Sequence, residues 1–149
     1  LETHPDAQLT IVGAAPDVDL KQCHVVGKVP VAEVDAYYHQ ATIFCLPTTL
    51  EPFGVVFVEA MAHQLPLIGT QVGALPDMII PDYNGYLVPP HNIASLTTAL
   101  LDLLGDSEKR YQFGQNSYQL AQERYNWEQV GHTVRTVILE SISLESQEI

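Results

Sequence analysis

Two carboxylates, Glu51 and Glu59, stand with seven residues between them in the stretch LEPFGVVFVEAMAHQLP, Leu50 to Pro66. Their surroundings differ. Glu51 opens a short polar loop, Glu51-Pro52-Phe53-Gly54. Glu59 is the only charged residue in a segment apolar almost all round: Val55, Val56, Phe57, Val58, Ala60, Met61, Ala62. A helix hydrophobic on every side is expected inside the protein. An ionised carboxylate is almost never fully buried without partners, because losing water is costly. Glu59 is therefore expected to face a polar partner or a ligand cleft.

If the helix begins near Gly54, its free backbone N–H groups and positive dipole end point out beside Glu51. That arrangement holds anions such as phosphates, and Gly54, with no Cβ, lets the backbone approach a ligand closely. Glu59 lies roughly 7 Å further along the axis, at about 1.5 Å per residue. The layout suits a ligand with an anionic middle and hydroxylated groups at either end, held by charge-assisted hydrogen bonds. A nucleotide-sugar has that shape. The same spacing also fits a plain strand–turn–helix, with one Glu stabilising the dipole and the other in a buried pair. Spacing alone does not choose between them.

The flanking elements place these acids. Gln8 to Val12 reads as a strand ending in the loop Gly13-Ala14-Ala15-Pro16, and Cys23 to Val29 as a second strand weakened by Gly27. After Pro30, Val31, Val34, Tyr37, Tyr38 and Ala41 follow helical spacing. Thr42 to Leu46 reads as a buried strand, Pro66 to Gly69 as the next, Leu75 to Ile80 as a short helix, and Gly85 to Val88 as a last strand. Strands alternating with helices predict a doubly wound parallel sheet of the Rossmann-like kind. Ligands bind such sheets beyond the carboxyl ends of the strands, so Glu51, Gly73 and Gly13, all in loops after strands, are expected on one rim. From Asn92 the pattern is helical. Ile93, Leu96, Ala99, Leu100, Leu103 and Leu104 form a stripe ending at Gly105, read as a C-cap. Ser107 to about Tyr125 is a second helix. Asn126 and Gln129 make a capping box for a third, whose apolar side is Trp127, Val130, Val134, Val137 and Ile138, with Trp127 as a core anchor. The tail from Ser143 is expected to fray.

The chain has 149 residues, 46% of them hydrophobic, enough for one domain with a core. A net charge of −12, with six Lys and Arg, argues against nucleic acid or an anionic membrane as partner. No run approaches the ~18–20 apolar residues that span a bilayer, and no segment reads as a signal peptide. Cys23 and Cys45 are isolated, which fits a reducing, cytoplasmic setting. The six histidines show no metal-binding spacing, so no metal is expected.

Glu51-Pro52-Phe53-Gly54 through Glu59 resembles the E-x7-E signature of retaining glycosyltransferases built from two Rossmann-like domains, the GT-B fold, and specifically the large family 4. Other stretches carry the resemblance across nearly the whole chain: His4 to Gly13, Val25 to Val29, Val34 to Tyr38, Val72 to Asp77 and Asn84 to Pro90. Ala74 and Asp77 depart from the family's usual Gly and Glu. The resemblance implies that residues 1–149 are a single donor-binding domain, one half of a GT-B fold, truncated at its N-terminus and closed by C-terminal helices over 107–149. It implies a hexosyl transfer from a nucleotide-sugar donor to an acceptor, with no metal and no cofactor. By the same resemblance, Glu51 is the catalytic residue and meets the donor sugar. The backbone N–H groups of Phe53, Gly54 and Val55 face sugar and diphosphate, Glu59 takes the ribose hydroxyls, and the main chain of Gly27, Lys28 and Val29 meets the base. The family's Arg and Lys and its N-terminal acceptor-binding domain are expected upstream of Leu1. The isolated chain is then expected to fold but to transfer no sugar. The competing expectation is a non-catalytic domain that keeps the fold and serves in assembly or nucleotide binding. An NAD-binding fold lacks its G-x-G-x-x-G here, and Asp17 and Asp19 are a weak hint of a receiver domain.

Overall fold

The computed structural model describes residues 4–17 and 21–145, with the side chains of 127, 130, 138 and 140–145 left out. Asp19, Leu1 to Thr3, the side chains of Trp127, Val130 and Ile138, and the end of the tail lie outside the described residues.

Among the described residues, five strands and six helices follow in the order β1 (Leu9–Val12), β2 (Cys23–Gly27), α1 (Val31–Gln40), β3 (Phe44–Leu46), α2 (Val55–Ala62), β4 (Leu67–Thr70), α3 (Leu75–Met78), β5 (Gly85–Val88), α4 (Ile93–Gly105), α5 (Ser107–Arg124) and α6 (Trp127–Glu145). All ladders are parallel, in keeping with βαβ crossovers. The hydrogen bonding divides the strands into two sets, β1–β2 and β3–β4–β5. β2 stops at Gly27, two residues short of the expected Val29. Gly27 turns to φ +76°, and the register slips between Ile11 and Val12.

The core is built on β4, the middle strand of three, which is buried at every position. Alternation sends Leu67 into one cluster with Phe57, Met61, Leu75, Ile79 and Leu120, and Ile68 into another with Val88, Ala99, Leu103 and Phe113. Helices thus cover both faces, as in a doubly wound sheet. β5 lies so close to β4 that a Cβ on Gly85 would stand 2.1 Å from Leu67 O. Asn84, fully buried, ties the turn before β5: its Nδ2 donates to Met78 O at 3.0 Å, and its Oδ1 accepts from Ile80 N at 2.7 Å.

Three local expectations change. α2 is not buried all round: Phe57, Ala60 and Met61 face the core, but Val55 is 57% exposed and Glu59 also faces outward. Eight residues packed against β4 and α5 on one side leave the other side open. Gly105 does not cap α4; the helix includes it, and its φ is not positive. Arg110 Nη1 instead donates to the end carbonyls of Leu103 and Leu104, the latter at 2.9 Å. α6 is opened as expected, Gln129 N donating to Asn126 Oδ1 at 2.7 Å. Val134 and Val137 on it are more than half exposed, so these two are not core; the side chains of Trp127, Val130 and Ile138 lie outside those described.

Candidate functional site

β3 delivers the chain to the site. Beyond Leu46 the loop is tied by Thr48, whose Oγ1 donates to Leu50 O at 2.8 Å, and by Thr70 Oγ1 from the end of β4, which donates to Thr48 O. Glu51 follows, half-buried. Its backbone is pinned by the loop after β4: Ala74 N donates to Glu51 O at 3.2 Å. Gly73 stands so near, at φ +52°, that a Cβ there would lie 1.8 Å from Glu51 O. Two strand-end loops are therefore locked together at Glu51, which positions its carboxylate on the rim as the topology predicts. A cavity of about 170 Å³ opens beside them, between Thr48, Thr49, Thr70, Pro89 and Asn92 at the carboxyl ends of β3, β4 and β5.

Gly54 is the N-cap of α2 in left-handed backbone, φ +86°, and its carbonyl accepts from Phe57 N at 2.9 Å and Val58 N at 3.2 Å. No side chain caps the helix. Among the described residues the N–H groups of Phe53, Gly54, Val55 and Val56 carry no acceptor, and Phe53 and Val55 are exposed. An uncapped N-terminus with free donors favours an anion.

Among the described residues Glu59 pairs with no cation. Its Oε2 accepts from Tyr38 Oη at 2.9 Å, and the hydroxyl also lies 3.3 Å from Val56 O. Burial, then the bond to Glu59, pushes the Tyr38 phenol well above the usual range, so it stays a donor at neutral pH. Tyr38 comes from α1 and is 9% exposed, against Phe44 at 5.9 Å and the His63 ring at 5.0 Å. It was legible only as one position of an apolar stripe. Nothing in the spacing shows that its hydroxyl crosses to α2, 21 residues on.

The expected base-contacting residues lie at the end of the β1–β2 pair. Gly27 ends β2, Lys28 and Val29 follow it, and Gly13 is joined to Gly27, Gly13 N donating to Gly27 O at 2.7 Å. Among the described residues no hydrogen bond links this pair of loops to Glu51, Gly54 or Glu59. The structure thus unites Glu51, Gly54, Gly73 and Glu59 about α2, and keeps Gly13 with Gly27 on the other strand pair. Cys45, in β3, has its thiol raised to about 11 by burial, which makes it a poor nucleophile.

Comparison with known proteins agrees with this geometry. A glycosyltransferase of undetermined specificity from Methanocaldococcus jannaschii is 31% identical over 119 residues, which is 80% of this chain and 34% of that protein. The sucrose-phosphate synthase of Thermosynechococcus elongatus superposes with a TM-score of 0.77 at 29% identity, over 93% of this chain and 40% of the other. Anabaena HepE, solved in complex with UDP-glucose, shares the fold with a TM-score of 0.68 at 21% identity, over 83% and 32% of the two chains. The chain spans about a third of the length of the Methanocaldococcus relative. Residues 1–120 match the sequence profile of the glycosyl transferases group 1, and with the paired strand-end loops and the uncapped helix between two glutamates, the chain belongs to that family.

Proposed function

We propose that this chain is the nucleotide-sugar donor-binding half of a retaining glycosyltransferase, which moves a hexosyl group from a nucleoside-diphosphate sugar to an acceptor. One observation carries the reading: an uncapped helix N-terminus at Gly54 has a carboxylate at its mouth, Glu51, and another on its outer face, Glu59. The diphosphate lies on the N–H groups of Phe53, Gly54 and Val55. Glu51 accepts from sugar hydroxyls and stabilises positive charge as the glycosyl bond breaks. Glu59 accepts from the ribose hydroxyls with Tyr38 holding its carboxylate. Gly27, Lys28 and Val29 supply main-chain contacts to the base. The helix N-terminus does the work of a metal in the transfer step. An acceptor-binding domain of the same protein completes the enzyme, and a UDP-glucose complex of a protein with this fold supports the donor class. Free Cys23 and Cys45 fit a cytoplasmic setting. Among the described residues no helix is long and apolar enough to cross a membrane.

Calorimetric titration with a nucleoside diphosphate tests the division of labour. Glu59→Gln loses charge-assisted bonds worth about 1.5–3 kcal/mol, so binding is expected to weaken roughly 10- to 100-fold. Glu51→Gln should leave diphosphate binding nearly unchanged and lower turnover in the full-length protein. Equal weakening by both variants would refute the assignment of sugar to Glu51 and ribose to Glu59.

A further inference from the structure

We propose that Asp35, His39 and His63 form a binding site for one divalent ion of the zinc class, clamping α1 to α2. Asp35 and His39 stand one turn apart on α1, and His63 directly follows the last residue of α2. One ligand atom from each lies within 4.8 Å of the other two. The site uses neither Glu51 nor the Glu59 carboxylate, so it stands apart from the proposed donor contacts.

His63 is oriented as a metal-bound imidazole is. Its Nδ1 lies 2.8 Å from Glu59 O. A carbonyl only accepts, so Nδ1 carries the hydrogen and Nε2 is left for a ligand. Nε2 points at Asp35 Oδ1, 2.7 Å away, and donates to it in the metal-free chain, since a carboxylate only accepts; a bound ion takes the place of that proton. One imidazole nitrogen anchored on a carbonyl and the other aimed at the ligand position is the outer-shell arrangement that fixes tautomer and ring orientation in metal sites. Tyr38 stacks on the ring at 26°, limiting its rotation further. His39 completes the set: its Nδ1 lies 3.0 Å from Asp35 O and 3.2 Å from Asp35 Oδ2, contacts that its exposed ring must exchange for the ion, and the ring is edge-on to His63 at 4.7 Å.

Two imidazoles and a carboxylate select zinc and its neighbours over magnesium or calcium, which take oxygen ligands. Ligand bonds of about 2.0–2.2 Å need the donors slightly repositioned, and Asp35 and His39 are two-thirds exposed and able to rotate inward. No Lys or Arg lies in α1 or α2, while Asp35 and Glu59 supply negative charge. The competing account is a plain ion-pair cluster, Asp35 between His63 and His39, which needs no metal.

Zinc titration of the 149-residue chain by calorimetry separates the two. One equivalent is expected to bind, with affinity reduced at least about tenfold by Asp35→Ala, His39→Ala or His63→Ala and unchanged by His132→Ala, on exposed α6 surface. Cobalt in place of zinc should give the visible absorption of a four-coordinate ion, lost in His63→Ala, and magnesium should not compete. Circular dichroism checks that each variant is folded. Failure of the unaltered chain to bind zinc with a Kd below about 1 mM, absence of the cobalt signal, or binding that survives His63→Ala would each overturn the site.

Discussion

The two strand sets of this molecule differ in how they are held. In β3–β4–β5, β4 is buried at all positions and helices lie on both faces. In β1–β2 only Gly27 is buried, and β1 is exposed or half-buried throughout. Neither β1 nor β2 contributes to either core cluster. The glutamates and the helix N-terminus thus sit on the packed set, and the proposed base contacts at Gly27 to Val29 on the open one. Rigid support lies under the groups proposed to meet sugar and diphosphate; the region proposed to make only main-chain contacts is supported least.

Phe57→Ala should give the largest effect. Phe57 is fully buried, edge-on to Phe44 at 5.1 Å, so about 3–5 kcal/mol of stability should be lost. Ile11→Ala, on half-buried β1, should cost less than half of that. Urea melts of both variants measure the difference, and equal losses would break the contrast.

Two glycines sharpen it next. Gly85→Ala drives a Cβ against the Leu67 carbonyl at 2.1 Å, so β4 and β5 must separate, at about 2–3 kcal/mol. Gly27→Ala meets only Ala15 Cβ at 3.9 Å and pays just for φ +76°, about 1–2 kcal/mol. Thermal melts should rank them in that order.

Tyr38→Phe removes one hydrogen bond to Glu59, worth about 0.5–1.5 kcal/mol. Nucleoside-diphosphate affinity should fall by less than about tenfold, a smaller loss than Glu59→Gln produces, as read by calorimetry. A larger loss than that of Glu59→Gln would mean that Tyr38 itself meets the ligand.

The smallest effect belongs to Asp102. Its carboxyl is held below the usual range by Lys109, at 2.8 Å, and by the Tyr86 hydroxyl, at 2.6 Å. A lowered folded-state pKa adds stability that is present above the unfolded value, about 3.9, and is lost as pH falls through the folded value. Each side chain of the pair is about a third exposed, so solvent screens it and the term is slight. Asp102→Asn should lower the melting temperature marginally at pH 7 and flatten its decline below pH 4; an unchanged acid slope would remove Asp102 from the account.

Much of this was legible from residues alone. Strands alternating with helices specified parallel pairing, since hydrophobic runs between Gly and Pro turns admit few arrangements. The order Glu51, Gly54, Glu59 marked the strand-end loop and the helix opening before any coordinate. Three things were not legible, for one physical reason: each depends on atoms far apart in sequence. Tyr38 reaches Glu59, Gly73 braces Glu51, and His63 meets Asp35 and His39 only once α1, α2 and the β4 loop are packed. Gly105 failed as a cap because Arg110, six residues beyond Leu104, satisfies the carbonyls. Local sequence, through propensity and period, determined which elements form and where the two glutamates sit along them. Tertiary packing decided which side chains converge, because non-local contacts follow from burial against β4 and leave no periodic trace.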